Sequence, residues 1–316
     1  MKPRQSLSTA FACTIAFVLG GCSSVNHIAV NKLGDALATG GNAFASDNDP
    51  QLVRDATPFT LKLMESLLAE NPHHSGLLAA ASSGFTQYSF AFVQQDADEL
   101  ENRDVAGANQ LRVRARGLYL RGRDYGLRGL DLAHPGLTTK LRENPHTAVK
   151  VCRPEDVRLL YWTAASWAAA IALSKDDPVL IAELPLAETL IDRALELNES
   201  YDSGTIHGFL ITYEMARPGG SGDPAVRSRQ HFDRAMALTQ GGQAGPLVAY
   251  AEAVSVQKQD RAEFGKLLHQ ALAIDVNAHP EWRLVNLVMQ RRARWLLARI
   301  DDLFLPVDTS NPPAAP

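Results

Sequence analysis

The helical spacing of apolar residues is the feature of this sequence that most restricts its fold. Apolar side chains recur every three or four residues over long segments, and no segment shows the convincing alternation of period two that indicates a half-buried strand. Two clear examples are the sets Leu184, Ala187, Ile191, Ala194, Leu195 and Phe264, Leu267, Leu268, Ala271, Ile274. A third set comprises Trp282, Val285, Met289, Ala293, Leu296 and Ile300. The pattern predicts an all-α fold.

Three Asp-Pro pairs mark predicted helix starts. They are Asp49-Pro50, Asp177-Pro178 and Asp223-Pro224. An Asp side chain accepts hydrogen bonds from the free N–H groups of a first helical turn, and Pro fits the first helical position because its missing N–H is not needed there. We therefore expect a helix to begin after each Asp.

Short Ala- and Leu-rich segments recur along the chain. Residues 194–198 (ALELN) resemble residues 235–238 (AMAL) and 271–274 (ALAI), and the segments begin 41 and 36 residues apart. The tetratricopeptide repeat, a helix pair, has a period of about 34 residues. We therefore predict degenerate tetratricopeptide-like helix pairs that form a compact helical solenoid over residues 49–304, with residues 103–150 inserted after the first pair. Such stacks present a concave surface that usually binds a partner.

The first residues have the pattern of an export signal. Lys2 and Arg4 precede an apolar stretch over residues 11–21, about half of the roughly 20 residues that a membrane-spanning helix needs. The stretch ends in Leu19-Gly20-Gly21-Cys22, which resembles the lipobox of bacterial lipoproteins. This resemblance predicts a signal peptide over 1–21, lipidation at Cys22 and a tether or loose first helix over 22–48. In bacterial lipoproteins, Asp directly after the lipidated cysteine tends to mean retention in the inner membrane. This chain has Ser23 at that position, which favours the outer membrane, facing the periplasm. The alternative is an ordinary signal peptide with Cys22 uninvolved.

Composition excludes several classes of protein. Removal of Lys2 and Arg4 with the signal peptide changes the formal net charge from −4 to −6, which argues against a nucleic-acid partner. Of the three cysteines, Cys13 leaves with the signal peptide and Cys22 is lipidated, so Cys152 has no disulfide partner. The Pro-rich segment 305–316 is predicted to be disordered.

No catalytic motif is present in the sequence. It lacks G-x-S-x-G, H-E-x-x-H, a Walker loop and paired C-x-x-C motifs, so we predict no enzymatic activity, no cofactor and no metal. The adjacent His73 and His74 fit a solvated loop better than a ligand pair. A hydrolase would need an activated nucleophile, and Cys152 is the only thiol candidate for that role.

Two groups of residues are candidates for binding. Arg114, Arg121 and Arg128 are seven residues apart and share one helix face. They form either a solvated face paired with Asp124 and Asp131 or a row that contacts an anionic ligand or an acidic partner. The aromatic candidates, which either fill the core or line an apolar cavity, are Tyr88, Phe92, Tyr161, Trp162 and Trp167. Phe85, Tyr88 and Phe92 share a face, whereas Phe90 points elsewhere.

Three segments carry a resemblance to a known family. They are residues 71–95 (NPHHSGLLAAASSGFTQYSFAFVQQ), residues 115–126 (ARGLYLRGRDYG) and residues 160–167 (LYWTAASW), the last continuing through Arg193-Ala194-Leu195 to Gly208-Phe209. The chain resembles the T-component family of TRAP-type (tripartite ATP-independent periplasmic) transporters over roughly residues 50–305.

The resemblance implies a lipoprotein with modified tetratricopeptide helix pairs that assembles as a homotrimer with a central pore. It also implies that the protein docks a periplasmic substrate-binding P-component and binds or relays a small ligand, including a hydrophobic one. The resemblance implies no catalytic residues. The alternative function is a tetratricopeptide-like scaffold lipoprotein that organises envelope protein complexes without a small ligand.

Overall fold

A computed structural model describes residues 31–306, which form helices and turns and contain no strand. The predicted signal peptide, the lipidation site Cys22 and residues 307–316 of the predicted tail lie outside the described residues. Within residues 31–306, the all-α prediction is therefore confirmed. None of the helices in this range is long and apolar enough to span a membrane.

The first half of the described chain contains α1 (residues 31–39), α2 (Gly41–Ala45), α3 (Pro50–Glu70), α4 (Ser75–Tyr88), a π-helix (Ser89–Gln94), α5 (Gln95–Leu100), α6 (Val105–Ala133), α7 (Leu137–Glu143) and α8 (Pro145–Ala148). Two 3₁₀ turns (Val149–Val151 and Pro154–Asp156) then lead into α9 (Val157–Ala172).

The second half contains α10 (Pro178–Ile181), α11 (Leu184–Leu197), a turn (Tyr201–Gly204), α12 (Thr205–Tyr213), α13 (Pro224–Leu238), α14 (Ala244–Tyr250), a second π-helix (Ala251–Ser255), α15 (Arg261–Ala273), a 3₁₀ turn (Pro280–Trp282), α16 (Arg283–Ala298) and α17 (Ile300–Leu303). One buried cluster spans α3 to α12, and a second is built mainly from α12 to α16.

The three predicted helix starts are confirmed. The Asp49 carboxylate accepts hydrogen bonds from the N–H groups at positions 51 and 52, both at 3.0 Å. Asp177 caps α10 in the same way, and Asp223 caps α13 through the N–H of residue 225. Each following Pro occupies the start of its helix. The backbone N–H groups of a first helical turn have no partner within the helix, so the N–H that proline lacks is not needed there.

Helix α6, which belongs to the segment predicted as an insertion, lies at the centre of the first cluster. It packs against both α4 and α9. The close approach depends on buried glycines in α6: a Cβ on Gly126 would overlap the Thr163 hydroxyl of α9 and lie 2.9 Å from the Ser82 Oγ of α4. The segment predicted as an insertion therefore supplies the helix that joins its neighbours.

Replacing Gly126 with alanine is expected to destabilise the protein by about 1–3 kcal/mol, because the added methyl group overpacks the contact between α6 and α9. The matched control is Gly117→Ala in the same helix, where a Cβ meets no atom within 4 Å. We expect the control to stabilise the fold by about 0.5–1 kcal/mol through helix propensity. Urea denaturation of both variants checks the prediction, and equal effects would contradict it.

The two ends of the described chain contact each other through α16. The Arg283 guanidinium donates a 2.7 Å hydrogen bond to the carbonyl of Ser46 between α2 and α3. Arg291 forms ion pairs with Asp96 (2.8 Å) and Glu99 (2.7 Å) on α5. The described residues therefore form a closed arrangement in which the last long helix lies against the first ones.

Arg292 is the most buried cation in this contact, with a side chain 9% exposed. Its guanidinium donates to both oxygens of Glu252 in the second π-helix, at 2.7 and 2.5 Å. It also donates to Gln95 Oε1 (2.6 Å) and Asp98 Oδ2 (3.2 Å) on α5. One side chain thus joins α16 to elements from both halves of the chain.

Candidate functional site

The three candidate arginines lie along the surface of α6, each over an aromatic ring. Arg114 lies over Tyr88 of α4, with 5.9 Å between the guanidinium carbon and the ring centroid. The other two pairs are Arg121 over Phe85 at 4.7 Å and Arg128 over Tyr125 at 5.2 Å. All three arginines are exposed to solvent. Their spacing of seven residues therefore produces a row of cations, which we call the arginine row.

The centre of the arginine row is neutralised by one carboxylate. Arg121 pairs with Glu65 of α3, and Tyr125 donates a 3.0 Å hydrogen bond to the same Glu65 oxygen. Although partial burial raises the pKa of Glu65, hydrogen bonds from Lys62, Tyr125 and Arg121 outweigh it and lower the pKa below its ordinary value. Burial and the hydrogen bond to Glu65 raise the pKa of Tyr125 to about 12. Glu65 is therefore a stable anion beside Arg121.

The ends of the row have no carboxylate partner among residues 31–306. Arg114 Nη2 lies 3.5 Å from the Tyr88 hydroxyl, and Arg128 Nη2 lies 3.4 Å from the carbonyl of Pro72. Both guanidinium groups keep donors that can face a carboxylate or phosphate in the paired geometry that arginine favours.

The local pairing predicted for the arginine row is not formed. Asp124 pairs with its neighbour Arg123 at 2.8 Å instead of Arg121. Asp131 accepts a 2.8 Å hydrogen bond from the N–H of Thr138 and so holds the turn between α6 and α7. Helical spacing permits an Arg-Asp pair three residues apart, but here each carboxylate has a different partner. Arg128 consequently remains without an acidic partner in the described part of the chain.

Two of the aromatic candidates lie beside the arginine row. Tyr88 and Phe92 are buried, with ring centroids 5.8 Å apart. Phe85, which shares their face, is also buried, whereas Phe90 is 38% exposed, as the sequence predicts. Of these rings, Tyr88 lies under Arg114 and Phe85 lies under Arg121.

The other three aromatic candidates lie on α9. Tyr161 is buried and Trp162 is half-buried, and their rings meet edge-on at 4.8 Å. Trp167 is fully buried, and its indole N–H donates a 3.0 Å hydrogen bond to Glu183. Arg123, on α6, lies 5.3 Å from the Trp167 ring. The structure therefore packs Tyr161 and Trp167 within the helix core and leaves Trp162 half-buried at its edge.

Residues 73 and 74 have different local roles. The Nδ1 atom of His74 accepts a 3.2 Å hydrogen bond from the N–H of Leu77 and so caps α4. His73 is exposed, and its backbone N–H donates to the Asn71 side chain. Capping explains why a histidine stands directly before this helix.

A second group of polar residues lies where α6 ends and was not predicted from the sequence. His134 Nε2 lies 2.7 Å from Asp156 Oδ2, and Cys152 is buried beside them. Burial and the nearby Asp156 charge raise the pKa of the Cys152 thiol to about 11. The sequence signal for this group is a Cys followed four positions later by an Asp, with a His 18 residues before the Cys. It is weak because the residues lie on turns whose geometry the sequence pattern does not predict.

Two comparisons with known proteins found similarity over most of the chain. A family model described as "TRAP transporter T-component" matches residues 46–304. An uncharacterized protein from Treponema pallidum (strain Nichols) is 32% identical over 266 residues, which cover 83% of this chain and 82% of that protein. The family match covers the arginine row, the aromatic candidates and the second polar group.

Proposed function

Since this chain belongs to the TRAP transporter T-component family, we propose that it is a periplasm-facing lipoprotein accessory of a TRAP-type transporter. In this role it binds or relays a small ligand and docks a periplasmic substrate-binding P-component, and it catalyses no reaction. The observation that carries the proposal is the family match over residues 46–304, which spans nearly all of the described chain.

We propose that Cys22 carries lipid that holds the protein at the outer membrane. Several acyl chains give durable attachment, since each buried CH₂ contributes roughly 0.8 kcal/mol. The packing of successive helices along the chain supports a tetratricopeptide-like solenoid. The family resemblance further implies that three copies assemble around a pore.

The arginine row is our candidate for the docking contact. Arg114 and Arg128 are exposed and have no carboxylate partner within residues 31–306. Binding an acidic surface would therefore not require either arginine to break an existing ion pair. The rings of Tyr88 and Tyr125 lie beneath them, which limits the directions in which the guanidinium groups point. Reduced freedom before binding lowers the entropy cost of forming an interface.

The aromatic candidates remain our proposal for the ligand contacts. Tyr88 and Phe92 lie beside the arginine row, and Trp162 is half-buried at the edge of α9. A small hydrophobic ligand would contact these rings if the helices around them separated. Tyr161 and Trp167, which are buried, would then contact the ligand only after such a movement.

The double substitution Arg114→Ala and Arg128→Ala is expected to weaken binding of the transporter's P-component by about tenfold to 100-fold, because desolvated charge contacts across an interface are lost. Calorimetric titration measures the affinity, and light scattering measures the mass of the protein alone and in the mixture. The matched control is Arg294→Ala, which removes an exposed arginine from α16.

Each outcome bears on a different part of the proposal. A trimer that captures the P-component supports the transport function, and normal capture by the double variant excludes the arginine row as the contact. A monomer that does not bind the P-component would contradict the transport function and favour a scaffold whose partner is a peptide segment.

A further inference from the structure

Three side chains that can bind a metal ion converge where α6 ends. His134 follows the last residue of α6, Cys152 follows the 3₁₀ turn Val149–Val151, and Asp156 ends the 3₁₀ turn before α9. One donor atom from each side chain lies within 4.8 Å of the donor atoms of the other two. Chain folding thus brings together a thiol, an imidazole and a carboxylate from three separate turns.

We propose that His134, Cys152 and Asp156 bind one divalent ion of the zinc class, with a water molecule as the fourth ligand. Zinc in proteins is bound by thiolate, imidazole and carboxylate groups in tetrahedral geometry, and a site with three protein ligands keeps one position open. A site that includes a thiolate disfavours magnesium and calcium, which prefer oxygen ligands alone.

The donors are buried and held in place by their neighbours. The side chains of His134 and Asp156 are 14% and 7% exposed, and Cys152 is 1% exposed. Asp156 Oδ2 also accepts a 2.8 Å hydrogen bond from the N–H of Arg153, and Arg193 donates at 2.8 Å to the carbonyl of Cys152. Such neighbouring hydrogen bonds orient metal ligands before the ion arrives.

A groove beside the cluster provides a route for the ion. It has a volume of about 550 Å³, and His134, Pro135, Ala148 and Val151 are among its lining residues. His134 belongs to both the groove and the cluster, so the groove adjoins the cluster at this residue.

A nucleophilic cysteine is the competing interpretation of the same three residues. A nucleophile must reach its substrate, but Cys152 is almost completely buried and is not among the residues that line the groove. An ion needs only the three donors and room for one water molecule. The geometry therefore favours metal binding, which is independent of P-component docking.

Cobalt titration of the purified full chain in mild detergent tests the proposal, because a thiolate bound to Co²⁺ gives a charge-transfer absorption band in the near ultraviolet. We expect one equivalent of Co²⁺ to produce the band and Zn²⁺ to displace it. Cys152→Ser should abolish the band, and His134→Asn and Asp156→Asn should weaken binding by at least about tenfold. The matched control is His146→Gln, an exposed histidine on α8 that lies outside the cluster.

A second measurement guards against variants that fold poorly. Zn²⁺ should raise the Tm of the unmodified chain and of the His146→Gln variant, because an ion that binds only the folded state stabilises it. The Asp156→Asn variant should show a smaller rise at the same Zn²⁺ concentration, because its binding is weaker. The proposal is overturned if no cobalt band forms, if the band persists in Cys152→Ser, or if His134→Asn binds with unchanged affinity.

Discussion

Replacing Arg292 with alanine is expected to lower the free energy of unfolding by about 3–5 kcal/mol, because removing one member of a buried charge network leaves its partners uncompensated. Arg292 contacts Gln95, Asp98 and Glu252 at once. Burial already raises the pKa of Asp98, and Arg292 opposes that rise. Without the guanidinium, the fold would have to keep the Asp98 carboxylate buried with less compensation.

Equilibrium unfolding in urea measures this loss through the transition midpoint and slope. Arg294→Ala, two residues further along α16, is the matched control because Arg294 is exposed. Its effect should stay within about 0.5 kcal/mol. If the two variants were equally stable, Arg292 would be acting as an ordinary surface cation, and the network would contribute little to the fold.

Trp167→Ala is expected to destabilise the protein by about 3–5 kcal/mol, the range typical for truncating a large buried aromatic side chain. Trp167 is 0% exposed and packs in the larger apolar cluster. Its N–H also donates to Glu183, which keeps ion pairs with Arg142 (2.7 Å) and Arg123 (3.4 Å) when the indole is removed. The loss should therefore come mainly from the cavity.

Thermal and urea unfolding measure the effect, with Phe59→Ala as the control. Phe59 is an aromatic residue of α3 with 73% of its surface exposed, so its truncation should change stability by less than about 0.5 kcal/mol. A Trp167→Ala variant of normal stability that lost ligand binding would instead show that the indole serves the ligand and not the core.

The helices were predictable because their signals are local. The capping residues Asp49, Asp177 and Asp223 and the helical spacing of apolar residues act within a few positions of the chain. Contacts between distant positions were not predictable in this way. Glu65 pairs with Arg121 from 56 residues away, and no pattern within α6 indicates that partner.

Helix α16 shows why the pattern of apolar residues was an incomplete guide. Val285 belongs to the predicted apolar stripe but is 44% exposed, whereas Asn286, Gln290 and Arg292 are buried. Asn286 accepts from the N–H of Ala244, and Gln290 donates to carbonyls at the end of α15. Polar side chains are buried here because specific hydrogen bonds satisfy them, and those bonds depend on tertiary structure.

The contact between the ends of the described chain has a consequence for how the protein folds. In an open repeat array each unit touches only its neighbours, so the array frays from its ends and unfolds in stages. Here Arg283 and Ser46 are 237 positions apart and hydrogen-bonded, so helices near both ends of the described range contact each other. Closure over such a separation carries a large entropy cost that is recovered only when both ends are ordered. We therefore expect residues 31–306 to fold and unfold cooperatively, with closure by α16 as a late step.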